Sequence, residues 1–354
     1  MATLHLHIGH NKTGSTWLQA ALEASRPALA DVGLDYPVRA EPRADQRRFD
    51  QWTGNGLRLL ADAAQLAEAL ASPPGAPGRD RIYSSEVMLP DGAELEALDL
   101  AFLPRLAGEA GFDRVRVLLF VRDPMPHAVS AWQQTIKGWT GDVHPIDPWL
   151  TERYAVPAWA ARAADRLEAV GAELTVRNYS RCADRLGREL CDWLGIAESV
   201  LTPPAAERLN RSLCAAEAQL QLQINRAFGS NGGRVFGHRA VAELPDWRGT
   251  PVRPSEAAQR AALARLAPAL DALDARMPPE HACSREILAP AAGEGPPTLS
   301  EAHFRILGDG LVEEMERLRA EREALLADPA RGLDGRALLR ALAARIGRRL
   351  GRRR

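Results

Sequence analysis

The stretch that decides the fold is Leu4-His5-Leu6-His7-Ile8-Gly9-His10-Asn11-Lys12-Thr13-Gly14-Ser15-Thr16-Trp17-Leu18-Gln19-Ala20-Ala21-Leu22. Leu4 to Ile8 reads as a short strand, Gly9 to Thr16 as a loop, and Trp17 to Leu22 as the opening of a helix. A strand, a glycine-spaced loop and a helix N-terminus together make a site for a phosphate-like anion. Both the loop N–H groups and the helix dipole favour negative charge there.

The glycine spacing narrows the chemistry. A nucleotide-hydrolysing loop reads Gly, four residues, Gly, Lys, then Ser or Thr. Gly9 and Gly14 keep that spacing, but Ser15 stands where the lysine belongs, and Lys12 lies inside the loop. About a hundred residues later, Val115-Arg116-Val117-Leu118-Leu119-Phe120-Val121 is a nearly continuous apolar run, the pattern of a buried parallel strand. It ends in Arg122-Asp123-Pro124, where Asp before Pro signals a helix entry, and Ser130 follows Arg122 by eight residues.

Lys12-Thr13-Gly14-Ser15-Thr16-Trp17 resembles the 5′-phosphosulfate loop of sulfotransferases that use 3′-phosphoadenosine 5′-phosphosulfate (PAPS). Arg122 with Ser130 resembles that family's 3′-phosphate pair. The resemblance covers residues 3–20 and 80–135, extends to about residue 230 and is absent after that. It implies an α/β fold: a parallel sheet flanked by helices, with a P-loop-like phosphosulfate-binding loop and here a helical C-terminal extension. It implies that Lys12 contacts the oxygen bridging phosphate and sulfate, that Thr13, Gly14, Ser15 and Thr16 cradle the phosphosulfate, that Trp17 stacks on adenine, and that Arg122 and Ser130 bind the 3′-phosphate. PAPS would be the co-substrate, with no metal needed for the transfer. The family's late Arg-Lys-Gly segment is missing; Arg234, Arg239 and Arg248-Gly249 are the nearest substitutes.

Each of these residues also has an ordinary reading. Lys12 could be solvated, Ser15 and Thr16 could satisfy the first N–H groups of the helix, and Trp17 could be core. Arg122 could pair with Asp123, and Ser130 could be a plain helix serine. Glu86 closes Ser84-Ser85-Glu86 after a second strand, and an acidic residue suits a helix start. Many glycan sulfotransferases use a Glu near this point as general base, so Glu86 takes that role here, with His127 and His144 as alternatives. His10 is placed to touch cofactor or acceptor. His5 and His7 share one strand face and read as core histidines.

Strands at 81–84, 115–121 and 174–177 alternate with helices at 17–30, 57–71, 93–110, 125–137 and 157–170, which predicts a parallel sheet with ligands at the strands' carboxyl ends. A loop over 138–149, with Trp139, Thr140, His144 and Trp149, is expected to overhang the acceptor side. Helices follow at 182–194, 211–228 and 257–276, with 230–256 irregular. Thr298-Leu299-Ser300-Glu301 reads as a capping box for a helix reaching about residue 326. Residues 1–230 form the expected sulfotransferase domain, 231–296 an irregular and helical extension, and 297–354 a helical segment with a basic tail. Leu338, Leu342, Ile346 and Leu350 among arginines are compatible with a frayed tail or an amphipathic helix on an anionic membrane or acidic partner.

The 354 residues are 46% hydrophobic with a formal net charge of −1, which argues for a sizeable core and against a general nucleic-acid binder. Cys182, Cys191, Cys214 and Cys283 form no C-x-x-C pair and read as buried or free thiols. With no signal peptide and no bilayer-length apolar run expected, the reading is cytoplasmic. The leading functional expectation is transfer of a sulfuryl group from PAPS to an acceptor hydroxyl or amine, on a saccharide, lipid or small metabolite. The alternatives are a P-loop kinase, which would need a lysine after Gly14, and a non-catalytic nucleotide- or glycan-binding module.

Overall fold

The computed structural model describes residues 1–38, 54–71, 78–90, 92–138, 140–204, 211–289 and 298–327. The chain runs β1 (Thr3–Gly9), α1 (Ser15–Ala24), α2 (Arg26–Asp31), β2 (Leu34–Asp35), α3 (Ala63–Ala71), β3 (Asp80–Ser85), α4 (Gly92–Ala97), α5 (Phe102–Glu109), β4 (Arg114–Val121), α6 (Pro124–Lys137), α7 (Ile146–Glu152), α8 (Val156–Ala169) and β5 (Glu173–Asn178). Then come α9 (Leu186–Leu194), α10 (Ala215–Phe228), a π turn (Gly233–Gly237), α11 (His238–Glu243), α12 (Glu256–Asp274) and α13 (Glu301–Ala327). The five strands form one parallel sheet in the order β2-β3-β1-β4-β5.

β1 is central and buried at every position. Its two faces enter different cores. Leu4, Leu6 and Ile8 join a cluster with Met125, Val129, Trp132 and Ile136 of α6 and with α3, α5, α8 and α12. On the other face, Leu18 and Leu22 of α1 pack with Ile82, Leu118, Phe120 and the α9 residues Leu186 and Leu190. Each such fully buried leucine contributes about 1.5–3 kcal/mol of transfer free energy. β1 and β4 are hydrogen-bonded neighbours, yet the helix after β1 covers one face and the helix after β4 covers the other. Neighbouring strands whose connections diverge in this way leave a crevice at their carboxyl ends. Gly9 and Arg122 both stand at that crevice.

His5 and His7 are buried on the α9 face, edge-on to Trp193 and Phe120 respectively, as core histidines should be. The four cysteines are buried and unbridged. A third cluster, built on Ile224, Val235, Phe236, Ala240 and Ile306, joins α10, the π turn, α11 and α13. Among the described residues no helix is long and apolar enough to cross a membrane.

Several predicted elements are corrected by long-range hydrogen bonds. The helix over 17–30 breaks at Ser25, whose hydroxyl donates to Ala21 O and accepts from Thr202 N–H. The helix expected from 57 begins only at Ala63, because the N–H groups of Arg58 and Leu60 donate to Val87 O and Met88 O after β3. The single helix over 93–110 is two, with Asp99 accepting from Ala101 N–H at the break. The loop over 138–149 contains most of α7, and the irregular 230–256 contains the π turn and α11. The helices predicted from 182 and 211 start at Leu186 and Ala215. The last helix starts at Glu301, the final residue of the predicted capping box, and not directly after Thr298. Ser300 N–H donates to Nδ1 of His303, so a histidine supplies the reciprocal bond that a Glu usually makes. Residues 328–354, with their stripe of Leu338, Leu342, Ile346 and Leu350, lie outside the described residues, as does Trp139.

Candidate functional site

The loop between β1 and α1 is held by its carbonyl oxygens. Thr13 Oγ1 donates to His10 O at 2.6 Å, His127 Nε2 to Asn11 O at 2.9 Å, and an Arg122 guanidinium N–H to Lys12 O at 3.1 Å. With those three carbonyls engaged, the backbone N–H groups of Asn11, Lys12, Thr13 and Gly14 find no acceptor among the described residues. The first N–H groups of α1 add to the same unpaired set. Lys12 has φ 71°, left-handed for a residue with a side chain, and Gly14 has φ 80°. Strain of this kind costs roughly 1–3 kcal/mol and persists only where surrounding contacts enforce it. At Gly14 a Cβ would lie 2.5 Å from Leu186 and 2.8 Å from Tyr179, so the turn needs glycine for space as well as for φ. Ser15 Oγ is buried without a hydrogen-bond partner and would sit 2.5 Å from a Cβ at Gly9. Thr16 is exposed. Trp17 is half-buried with its ring edge against Gly187 at the start of α9.

Arg122 does not pair with Asp123. The Asp123 carboxylate accepts from Asn178 Nδ2 at 2.8 Å and Ser284 N–H at 2.9 Å, with Arg181 at 3.7 Å. The Arg122 guanidinium instead lies 5.6 Å from the Tyr179 ring centre and has no carboxylate partner among the described residues. Ser130 is half-buried, two turns into α6, without a side-chain hydrogen bond among those residues.

Glu86 follows β3, beside β1. Burial pushes its carboxyl up to about 7, against the pull of Lys12. Burial and Arg122 push the Lys12 ammonium down, against the pull of Glu86. A carboxyl near neutrality and a cation thus act on each other at the mouth of the crevice.

The two alternative bases are committed elsewhere. His127 is buried, and its Nε2 donates to a carbonyl, so its Nδ1 accepts from the Tyr154 hydroxyl at 2.9 Å. Burial holds it neutral, at about 4. His127 is therefore a strut under the loop. His144 donates from Nδ1 to Asp142 at 2.5 Å and accepts at Nε2 from Arg153 at 3.0 Å. Trp149, expected to overhang the site, is instead buried against Tyr154. Thr140 is exposed and donates to Thr135 O. His10 is buried edge-on to Trp159 at 4.5 Å, with Nε2 unpartnered and its ring held neutral by burial and by His127.

Two of the substitutes for the missing basic segment are engaged with their own surroundings. Arg239 pairs with Glu243 and Glu313, and Arg248 donates to Pro245 O and Trp247 O. Arg234 lies in the π turn, where its charge acts on His238. Sequence reasoning missed the Tyr154 hydroxyl that holds His127 and the burial of Lys137. Their only signal was position: Lys137 falls ten residues after His127, on the same stripe of α6. Among the described residues no group of three or more His, Cys, Asp or Glu could hold a metal ion. No protein-family model matches the chain, and no curated protein matches it significantly.

Proposed function

We propose that the protein is a PAPS-dependent sulfotransferase that moves a sulfuryl group to an acceptor hydroxyl or amine. The observation that carries this reading is the combination at one crevice of a loop with unpaired N–H groups, a lysine inside that loop, and an arginine free of carboxylates across from it. The residues present fit the co-substrate. The unpaired N–H groups of the loop and the buried, unpartnered Ser15 hydroxyl suit a 5′-phosphosulfate. The guanidinium of Arg122 suits a 3′-phosphate, with Ser130 on the adjacent helix.

Bound PAPS supplies an activated sulfuryl group on a nucleotide leaving group. Lys12 stabilises the charge that develops on the bridging oxygen as the S–O bond breaks. Glu86, poised near pH 7, takes the proton from the acceptor as its oxygen or nitrogen bonds to sulfur, and adenosine 3′,5′-bisphosphate departs with the electron pair. His127 and Arg122 act on the same step indirectly, by fixing the loop carbonyls so that the N–H groups stay aimed at the anion. In this reading the acceptor is drawn from glycans, lipids or metabolites. The test is transfer of radiolabelled sulfate from PAPS into glycan, lipid and phenolic extracts. Label in a product with wild-type protein, and about a hundredth of that rate with Glu86→Gln, is the expected result. No transfer to any extract, together with no binding of adenosine 3′,5′-bisphosphate in calorimetry, would refute the reading.

A further inference from the structure

Lys137 closes α6 with its side chain only 8% exposed, and among the described residues it has neither an ion pair nor a hydrogen bond. An unpaired buried lysine is costly, and most are neutralised by a carboxylate. Here the groups acting on it are mostly cationic. Burial, Lys12 and Arg211 push its ammonium down to about 8, and Glu217 is the carboxylate opposing them. That carboxylate is already occupied: Glu217 accepts from Arg211 at 2.6 and 2.8 Å and sits 2.9 Å from His303 Nε2.

A second polar group is unsatisfied at the same place. Gln221 is fully buried, and its Oε1 has no hydrogen-bond partner. A Cβ placed on Gly237 would lie 2.5 Å from that oxygen and 3.0 Å from Cγ of Lys137, so the two side chains flank one point on the π turn. The position of this pair separates it from the nucleotide. His127, Ser130, Gln134 and Lys137 are spaced three, four and three residues apart and share one stripe of α6, which His127 pins to the loop. Ser130 belongs to the start of that stripe, and Arg122 lies just before the helix. Lys137 lies about 10 Å beyond Ser130 at 1.5 Å per residue, yet Lys12 still acts on its charge.

We propose that Lys137 is the anion-binding residue of the acceptor side, so that the acceptor already carries a carboxylate, sulfate or phosphate close to the reacting hydroxyl or amine. The word acceptor rests on the sulfotransferase reading; the anion site rests on Lys137 and Gln221 alone.

Two experiments on the full-length protein keep those readings apart. In the first, brief acetic anhydride labelling is read at Lys137 by peptide mass spectrometry, with adenosine 3′,5′-bisphosphate present throughout. Inorganic sulfate should slow Lys137 labelling at least fivefold, and chloride at equal ionic strength less than twofold. Equal rates in the two salts would overturn the anion site. In the second, label from PAPS is followed into extract split on an anion exchanger. Incorporation should fall in the retained fraction. Lys137→Met should lose at least twentyfold in kcat/KM with nucleotide affinity within twofold of wild type, and Lys137→Arg should recover part of the loss. Label confined to the unretained, neutral fraction would overturn the proposal and leave the sulfotransferase reading standing. If wild type labels no fraction, the sulfotransferase reading falls, and the protection experiment still decides whether Lys137 binds an oxyanion.

Discussion

The loop after β1 and the wall around α10 both bury polar groups, and they do so in opposite ways. In the wall, Arg211, Glu217 and His303 satisfy one another, and Asn225 donates to Ile136 O and Asp142 O at the end of α6. Burial pushes Glu217 up, but Arg211, the Cys214 N–H and His303 outweigh it and hold its carboxyl below the usual range. In the loop, the carbonyls are satisfied while the N–H groups and Ser15 Oγ are left open. A closed network contributes to folding, whereas an open set facing one direction is what an incoming anion completes. At Lys137 and Gln221 Oε1 the wall behaves like the loop, with no partner among the described residues.

The comparison breaks first at Lys12. Lys12→Ala should lower kcat by about 100- to 1,000-fold while leaving the melting temperature near wild type, since the residue closes no network. Wild-type turnover in this variant, measured with labelled PAPS, would place the loop among structural turns. Glu86→Gln should cost about 100-fold in kcat with near-normal nucleotide affinity. In the wild type, kcat/KM should fall below pH about 7, because the base must be ionised and its carboxyl stands at about 7. An acid limb near pH 4.5 would exclude Glu86 as the base.

Glu217→Gln tests the closed side. It should destabilise the fold by about 2–3 kcal/mol in urea unfolding, because Arg211 and His303 lose their shared carboxylate. Nucleotide affinity per folded molecule should hold. An unchanged unfolding midpoint would mean that the trio is not a stabilising unit. Arg122→Ala should weaken adenosine 3′,5′-bisphosphate by about 2 kcal/mol and 5′-AMP by about 1 kcal/mol, the smaller loss reflecting the bond to Lys12 O. Equal losses in calorimetry would remove Arg122 from the 3′-phosphate.

The smallest effect concerns pH and stability. His7 and His127 are pushed down to about 4 by burial, so their contribution is complete above pH about 6.5 and is lost as pH falls toward about 4. Glu86 has the opposite sign. Its raised carboxyl makes the fold less stable as pH rises from about 4.5 to about 7. Above pH 7 Glu86→Gln should therefore melt roughly 1–2 °C higher than wild type. A lower melting temperature there would show that the ionised carboxylate is better compensated than its surroundings imply.

What was readable in advance was local. Alternation in Leu4 to Ile8, the apolar run Val115–Val121, and the glycines at 9 and 14 each express a backbone preference within a few residues, and β1, β4 and the left-handed turn follow. Helix ends were less legible, because residues far along the chain decide them. Thr202 bonds to Ser25, and Val87 and Met88 draw 58–60 out of a helix.

The sequence by itself determined a parallel α/β sheet and which residues would stand at the ends of its strands, because side-chain periodicity and turn chemistry act over one or two turns of chain. Only the tertiary structure decided what those residues are able to do. His127 became a strut because Asn11 lies 116 residues away in the chain and 2.9 Å away in space. Glu86 moved to about 7, and Lys137 was left without an ion pair among the described residues, because desolvation and Coulomb interactions depend on everything packed around a group and on nothing in its immediate sequence.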